Sequence, residues 1–399
     1  MSLDSAASLD HPALLDDESV VRHIHDYIDS GTTFTGDSSW REPTANYLSP
    51  DRFQHELAMI GRSTVVFCPS AALPEPGSYL ARDAAGVPLL AIRGDDGSAQ
   101  VFRNSCRHRG VQVAEGSGCK QAFVCPYHGW SYGKQGELRH VPHEHGFPDL
   151  DTATRGLVPV SSVEAGGLLF VNQSSASERG VDPTDSAALD PQLPVDDLVP
   201  SDHILISHSE TVIETNWKLF MESFLEGYHI RSTHKTTFYP IQYDNLNWIE
   251  YVGSSTRVAF PYQSIEKLRQ APFEPGSINY YLTFVYHLFP NVIVATSPGV
   301  MNTIVLEPMS PGTTRMSSFF TGFPRDTSTK SSKRPKKRPD YQAALAEDMA
   351  MIISAQRGLA TGANEFLEFG LFEGAIVKFH QRLERALAGD EVAVTLAEE

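Results

Sequence analysis

Cysteine is scarce in this chain. Four residues in 399, at positions 68, 106, 119 and 125, are too few for a disulfide scaffold. Basic residues are also in deficit. Lys plus Arg total 32 against 49 Asp plus Glu, a formal net charge of −17, which argues against a nucleic-acid binder. No apolar run reaches the roughly 18 residues that a membrane-spanning helix needs. The acidic stretch Met1–Asp17 has neither a basic n-region nor an apolar h-region. These absences lead us to expect a soluble cytoplasmic protein. No G-x-G-x-x-G follows a candidate strand, and there is no C-x4-C-x2-C run, so the chain cannot collect electrons from NAD(P)H by itself. Histidine is plentiful, with 15 residues. Cysteines set near histidines suggest a metal before they suggest a disulfide.

The length allows one large domain or two ordinary ones. Asp17–Ser30 has helical periodicity and stops at Gly31. Short β-rich runs at Ser63–Phe67, Pro88–Ile92, Gln100–Arg103 and Gly167–Val171, punctuated by Gly and Pro, read as a small antiparallel β domain. The Ser-, Asp- and Pro-rich stretch 173–200 reads as an exposed linker. Beyond it, Ile204–Ile213 alternates as a strand and Trp217–Arg231 reads as a helix. Trp248–Phe260, Tyr280–Thr296 and Met301–Phe320 read as strands, the last two forming a hairpin about Ser297-Pro298-Gly299. Tyr341–Leu387 is helical with a break near Gly358–Gly362. The expected class is α+β, with an antiparallel sheet and helices packed on it. The expected domains are an N-terminal helical segment 1–52 packing on the second domain, a β domain 53–172, the linker 173–200 and that second domain, 201–390.

Two short pairs carry the first chemistry. Cys106-Arg107-His108 is C-x-H and Cys125-Pro126-Tyr127-His128 is C-x2-H, each after an apolar strand. Two thiolates and two imidazoles suit a 2Fe-2S cluster with Cys on one iron and His on the other, a Rieske centre. Neutral imidazoles raise its potential from about −400 mV to roughly −150 to +300 mV. Gly110 and Gly129 would let backbone N–H groups approach the cluster sulfurs, and Trp130 would pack over the loop base. A zinc site of the Cys2His2 kind normally opens C-x2–4-C and closes H-x3–5-H, which this pairing does not do. Cys68 and Cys119 read as ordinary thiols. The stretches CRHRG and CPYHGWSYG resemble the signature of Rieske oxygenase large subunits.

The stretch NWKLFMESFLEGYHIRSTH, residues 216–234, supplies a second set. Glu226 and His229 are three apart and would share a helix face, with His234 five further on. Two His and a carboxylate with open positions form the facial triad of non-haem Fe(II) oxygenases. This stretch is similar to the catalytic-iron segment of the same family. The resemblance implies His229 and His234 as iron ligands and Asp348 as the third, eight residues before Gln356. Glu222 and Glu347 are competing carboxylates. The resemblance also implies that Glu226, where the family usually has Asp, is a bridge and not a ligand. It would join the iron histidine to His128 of a neighbouring subunit in a head-to-tail homotrimer. Glu at this position occurs in the family's quaternary-ammonium demethylases and hydroxylases. The resemblance runs from about Phe53 to Leu387 and implies a small β Rieske domain beside a helix-grip-like catalytic domain with a long C-terminal helix.

The implied activity is that of a terminal oxygenase. It would use O2, mononuclear Fe(II) and the 2Fe-2S cluster to hydroxylate or oxidatively dealkylate a small organic substrate. Electrons would come from NAD(P)H through a separate reductase, with a ferredoxin as a possible intermediary. Alternatives are a cis-dihydroxylating ring dioxygenase, a Rieske electron carrier without oxygenase chemistry, or a zinc-stabilised binding module. Phe220, Phe224, Phe284, Tyr286 and Phe289 are candidate cavity walls, and His287 is either pocket-lining or a core residue. His140, His143 and His145 read as surface, and His23 and His25 as exposed. Six positive charges between Lys330 and Arg338 read either as a solvated loop or as a docking patch for an acidic redox partner.

Overall fold

The structure, a computed structural model, describes residues 14–174, 196–270, 276–324 and 340–389. The basic run 330–338 and most of the expected linker lie outside the described residues. The described residues divide into two compact units, one built from residues up to 56 and from 208 onward, the other from 57–174 and 196–207. No described helix is long and apolar enough to cross a membrane.

The second of these units is an antiparallel seven-stranded sheet. Its strands run in the order Val65–Pro69, Leu168–Asn172, Pro159–Ala165, Ala99–Arg103, Val87–Arg93, Ser78–Ala84 and Gly116–Cys119. The apolar run Leu89–Ile92 is wholly buried and pairs Leu90 with Phe102 across the ladder. Ser78–Ala84 hides its strand character behind Arg82. That arginine is buried, lies over the Phe67 ring and donates to the Phe67 carbonyl at 2.8 Å. A smaller sheet of Phe123–Val124, Ser131–Tyr132 and Leu138–His140 stands beside it. Phe123, Trp130, Tyr132, Leu90 and Phe102 share one apolar core beneath Cys106 and Cys125.

The first unit carries a second antiparallel sheet, in the order Ile204–Ile213, Thr313–Gly322, Val300–Ser310, Val292–Ser297, Leu282–Leu288, Ser255–Pro261 and Trp248–Val252. The three long strands expected after residue 248 are each a hairpin. Their turns fall at Gly253-Ser254, at Phe289-Pro290-Asn291 and at Pro311-Gly312. Apolar residues on both sides of each turn mask the break. The hairpin about Pro298-Gly299 forms as expected, pairing Ser297 with Val300.

Helix Asp17–Ser30 is capped by the Asp16 carboxylate at Ser19 N and closed by Gly31 in the left-handed region. Its Val20, Val21 and Ile24 are buried. His23 and His25 are not free on its surface: His23 stacks on Trp248 at 4.2 Å, and His25 Nε2 lies 3.2 Å from the Ile265 carbonyl. At the other end, helices Tyr341–Leu359 and Gly374–Ala388 flank a short strand, Phe366–Phe369. It pairs antiparallel with Trp40–Pro43, so neither the N-terminal segment nor the C-terminal region is purely helical.

The expected helix Trp217–Arg231 is also interrupted. It runs only from Trp217 to Ser223, and a single turn, Ile230–Thr233, resumes after a loop. Within the loop the Glu226 carboxylate accepts the backbone N–H groups of Tyr228 and His229, the latter at 3.1 Å. A side chain that takes those donors competes with the helical ladder. Glu226 and His229 therefore meet through a turn and not across a helix face.

Candidate metal centres

In the β unit, two loops repeat one backbone pattern. Cys106 N donates to Val111 O at 2.8 Å and Gly110 N to Cys106 O at 2.9 Å. Cys125 N donates to Trp130 O at 2.8 Å and Gly129 N to Cys125 O at 3.0 Å. Each glycine lies four residues after its cysteine with φ of +81° or +76°, where a side chain would be strained. The glycine amides thus close the turns onto the cysteine carbonyls. With the turn closed in this way, the backbone amides of Tyr127 and His128 reach the Cys125 sulfur, as the glycine spacing led us to expect.

The matched loops bring His108 and His128 together, with ring centroids 4.6 Å apart. His108 stacks on Trp130 at 5.0 Å and meets the edge of Phe147 at 5.7 Å. Both cysteines are buried, and burial pushes the Cys125 thiol up, with the Tyr127 amide opposing it. Nδ1 of His108 is buried with no hydrogen-bond partner, as a nitrogen reserved for a metal would be. Two soft thiolates and two imidazoles on facing loops fit a 2Fe-2S cluster. Cys119 is exposed and Cys68 is fully buried, its thiol pushed up to about 12 by burial, so neither joins the set.

In the first unit, His229, His234 and Asp348 converge. One ligand atom from each lies within 4.8 Å of the others, and no other such group of three occurs among the described residues. Asp348 Oδ1 is 3.0 Å from His234 Nε2 and 3.7 Å from His229 Nε2. The opposite nitrogens are held by other carboxylates. His229 Nδ1 meets Glu226, and His234 Nδ1 lies 2.8 Å from Glu347 Oε2. Thr237 donates to the same Glu347 oxygen at 2.6 Å and holds that carboxyl below its usual range. Burial alone would lower the His229 pKa, but the nearby Glu226 and Asp348 carboxylates more than offset it. Two imidazole Nε2 atoms and one carboxylate on a common point, with both rings oriented from behind, fit a non-haem ferrous ion.

The competing carboxylates are engaged elsewhere. Glu347 braces His234 from behind. Glu222 is buried, accepts the Tyr47 hydroxyl at 2.6 Å and lies 2.9 Å from His380 Nε2. Nothing in the local sequence marked Glu347 for its role, because its partner is 113 residues away. Gln356 accepts the Asn216 N–H at 2.8 Å, tying the helix that carries Asp348 to the start of the segment that carries both histidines. His140, His143 and His145 are exposed. His287 is a core residue: fully buried, 3.2 Å from the Pro290 carbonyl, beside Phe379, its pKa pushed down to about 3 by burial. Phe284 and Tyr286, expected as cavity walls, lie on the strand face they share with Arg257. Phe284 lies 4.5 Å from the Arg257 guanidinium, and Tyr286 pairs with Arg257 in register. The opposite face of that strand presents Thr283, whose hydroxyl is 2.6 Å from Tyr262; Tyr262 in turn is 3.2 Å from Tyr341, which opens the Asp348 helix.

Two family models match the chain. Residues 63–155 match the Rieske [2Fe-2S] domain, and residues 196–389 match the ring hydroxylating alpha subunit catalytic domain. Among curated relatives, choline monooxygenase of Spinacia oleracea is 27% identical over 93% of this chain and 82% of its own length. The carnitine monooxygenase oxygenase subunit of Escherichia coli K12 is 27% identical over 86% of this chain and 93% of its own. Among solved structures, a quaternary ammonium Rieske monooxygenase superposes with a TM-score of 0.69 at 22% identity, covering 87% of this chain and 95% of that one. Naphthalene 1,2-dioxygenase from Rhodococcus sp. gives 0.66 at 19%, covering 94% and 99%. The protein is an O2-using oxidoreductase with a 2Fe-2S cluster and a mononuclear iron. It acts on a small organic substrate and draws electrons from a separate reductase. The chain belongs to the Rieske non-haem iron oxygenases and is of their large, alpha-subunit type.

Proposed function

We propose that this oxygenase hydroxylates or oxidatively demethylates a small quaternary ammonium compound, with iron held by His229, His234 and Asp348. The convergence of those three side chains within 4.8 Å carries the iron assignment. Two observations support the substrate class. The relatives matched over most of their length act on choline and carnitine. The bridging position holds Glu226, the residue found there in quaternary-ammonium members of the family. Iron at this site supplies O2 activation. The protein's own groups fix the two rings through Glu226 and Glu347 and bury His234, leaving 1% of its side chain exposed.

Cys106, His108, Cys125 and His128 are assigned to the cluster. The domain division we adopt is 53–172 for the Rieske domain, 201–390 for the catalytic domain, 173–200 for a linker and 1–52 as a segment packing on the catalytic domain. The assembly we assign is a homotrimer in which His128 of one copy approaches Glu226 of the next. Exposed apolar side chains support it. Val124 and Tyr127, beside His128, are 55% and 52% exposed, while Tyr228, two residues from Glu226, is 58% exposed. Apolar surface of that kind beside functional residues is a mark of an interface. We place the enzyme in the cytoplasm, where a reducing medium keeps Cys106 and Cys125 out of disulfides and available to iron.

The test combines metal analysis with product analysis. The wild type should hold about three irons per chain, two in the cluster, and His234→Ala should lose one while keeping the Rieske spectrum. Reconstituted with a reductase and offered choline, carnitine, glycine betaine and naphthalene, the enzyme should oxidise a quaternary ammonium substrate. A cis-diol from naphthalene alone would overturn the substrate class. Two irons per chain in the wild type would overturn the oxygenase reading in favour of an electron carrier.

A further inference from the structure

In the sheet of the first unit, cross-strand pairing sets Val285 opposite Ala295, Ala295 opposite Asn302 and Asn302 opposite Phe320. Residues paired in this way share one face, and Thr283, two residues before Val285, shares it too. This face is the iron side. From Thr283 a chain of hydroxyls runs to Tyr262 at 2.6 Å and on to Tyr341 at 3.2 Å. The Tyr341 ring lies 5.8 Å from Phe238, whose ring stands edge-on to His234 at 5.2 Å. Burial along the face is uneven. His287, Ile293 and Ile304 are sealed in the middle of their strands, but Thr283, Ala295, Asn302 and Phe320 are only half-buried toward one end. On the opposite face at that end, Phe284, Thr296, Met301 and Thr321 are all buried. The sheet therefore opens on the side of the iron ligands, as the wall of a substrate cavity would.

Asn302 is the polar member of its row. Its Oδ1 lies 2.7 Å from the Ser318 hydroxyl. Ser318 is buried, has one proton to give and finds no other side-chain partner among the described residues, so it donates to Oδ1. That contact fixes the amide. Its Nδ2 carries two N–H donors and has no partner among the described residues.

We infer that Asn302 is a specificity-determining residue whose Nδ2 donates to an oxygen of the substrate, so that the enzyme favours quaternary ammonium compounds bearing a hydroxyl or carboxylate over their hydrocarbon analogues. The inference rests on the proposed quaternary ammonium substrate and names the second group by which that substrate is read. The physical reason is an asymmetry of hydrogen bonding. With Oδ1 held by Ser318, the amide offers donors only, and an oxygen placed against it replaces the water that binding expels. A methyl group in the same place strips that water and leaves the donors unpaired, which costs more than the hydrogen bond itself gains. The flanking residues do not compete for the oxygen. Ala295 has no polar side-chain atom and leaves room beside the amide, and Phe320 offers only a ring.

The test compares substrates of matched shape on the reconstituted holoenzyme. Choline is paired with propyltrimethylammonium, which has a methyl in place of the hydroxyl. Glycine betaine is paired with isobutyltrimethylammonium, which has two methyls in place of the carboxylate oxygens. The readout is the ratio of kcat/KM within each pair, which a general structural defect does not move. The wild type should favour the oxygen-bearing member of at least one pair, and which pair tells a hydroxyl from a carboxylate. Asn302→Leu should lower that ratio about tenfold, the effect of one lost hydrogen bond. Ser318→Ala frees the amide to turn and should lower the ratio by less. A wild type without preference in either pair overturns the inference, and so does an unchanged ratio in Asn302→Leu. Rieske absorbance and iron content report whether each variant folds. Should Asn302→Leu fail to fold, an unchanged ratio in Ser318→Ala overturns the inference in its place. A wild type that holds both metals but turns over no member of either pair defeats the quaternary ammonium reading, and this inference with it.

Discussion

Oε2 of Glu347 lies 2.8 Å from Nδ1 of His234, while Asp348, the next residue in the chain, lies 3.0 Å from Nε2 of the same ring. Two consecutive carboxylates thus grip one imidazole from opposite edges. One faces the metal position, and the other fixes the tautomer that leaves Nε2 free to bind. His229 repeats the arrangement with Glu226 behind and Asp348 in front. A hydrogen-bond acceptor behind a ligating histidine orients the ring and raises its basicity.

Glu347→Ala should therefore weaken the mononuclear iron without touching the cluster. Loss of such a partner costs about 10- to 100-fold in metal affinity. The expected result is ready loss of one iron per chain to a mild chelator, with the Rieske absorbance unchanged. Glu347→Gln keeps an acceptor oxygen and should fall between the two. Iron retention equal to wild type in the alanine variant would mean that the contact at 2.8 Å does not brace the ring.

The difference between Glu347 and Asp348 shows where a sequence stops being readable. Cys106, His108, Cys125 and His128 lie in two local motifs, and the loops that carry them repeat one hydrogen-bond pattern. Local spacing is enough to find such residues. His229 and His234 are similarly close in sequence. Asp348 is reachable only through the family resemblance, and the bracing role of Glu347 not at all, since its contact with His234 is made by tertiary packing. The same limit governed the strands. Leu89–Ile92 announces itself by composition, but the turn at Gly253-Ser254 is flanked by residues that continue the β pattern on either side. Helical periodicity likewise ran on through Glu226, because periodicity does not register a carboxylate that takes the next two amides.

Glu226 is the second point at which removal should be informative. Its carboxylate accepts from Tyr228 N, from His229 N at 3.1 Å, and faces His229 Nδ1. Glu226→Ala removes the turn's acceptor together with the brace on His229, so both iron content and product yield should fall. Glu226→Gln keeps an oxygen for the amides but discards the charge. It should retain most of its iron and give at least about tenfold less product in a single turnover of pre-reduced enzyme. Undiminished single-turnover yield in Glu226→Gln would remove the charged carboxylate from the path between the two metals.

Glu222 gives a contrasting expectation. It sits one helical turn before the Glu226 loop, yet its oxygens serve Tyr47 and His380 in the interior. Glu222→Gln should leave iron content and the Rieske spectrum intact. It should destabilise the fold by about 1–3 kcal/mol, because a buried polar network loses its charged acceptor. Thermal unfolding followed by far-ultraviolet circular dichroism reads the change. Selective loss of mononuclear iron in a fully folded variant would instead return Glu222 to the list of ligands.

The segment that delivers both histidines depends on a buried ion pair at its start. Glu56, 1% exposed, accepts from Lys218 Nζ at 2.7 and 2.8 Å, from Trp217 Nε1 at 2.9 Å and from Arg52 Nε at 2.9 Å. Lys218 is completely buried, and desolvation lowers its pKa against the pull of Glu56. Removing the two partners should not be symmetric. Glu56→Ala strands a buried ammonium and an indole N–H, which should cost about 3–5 kcal/mol. Lys218→Met leaves Glu56 with Trp217 and Arg52 as donors and replaces the lysine stem with an apolar chain of similar length, so it should cost less. In the double variant no ammonium is left unpaired, and it should therefore be more stable than Glu56→Ala alone. A denaturation cycle over the four proteins measures that coupling. Additive losses would mean that the pair's geometry contributes nothing beyond the packing of its two side chains.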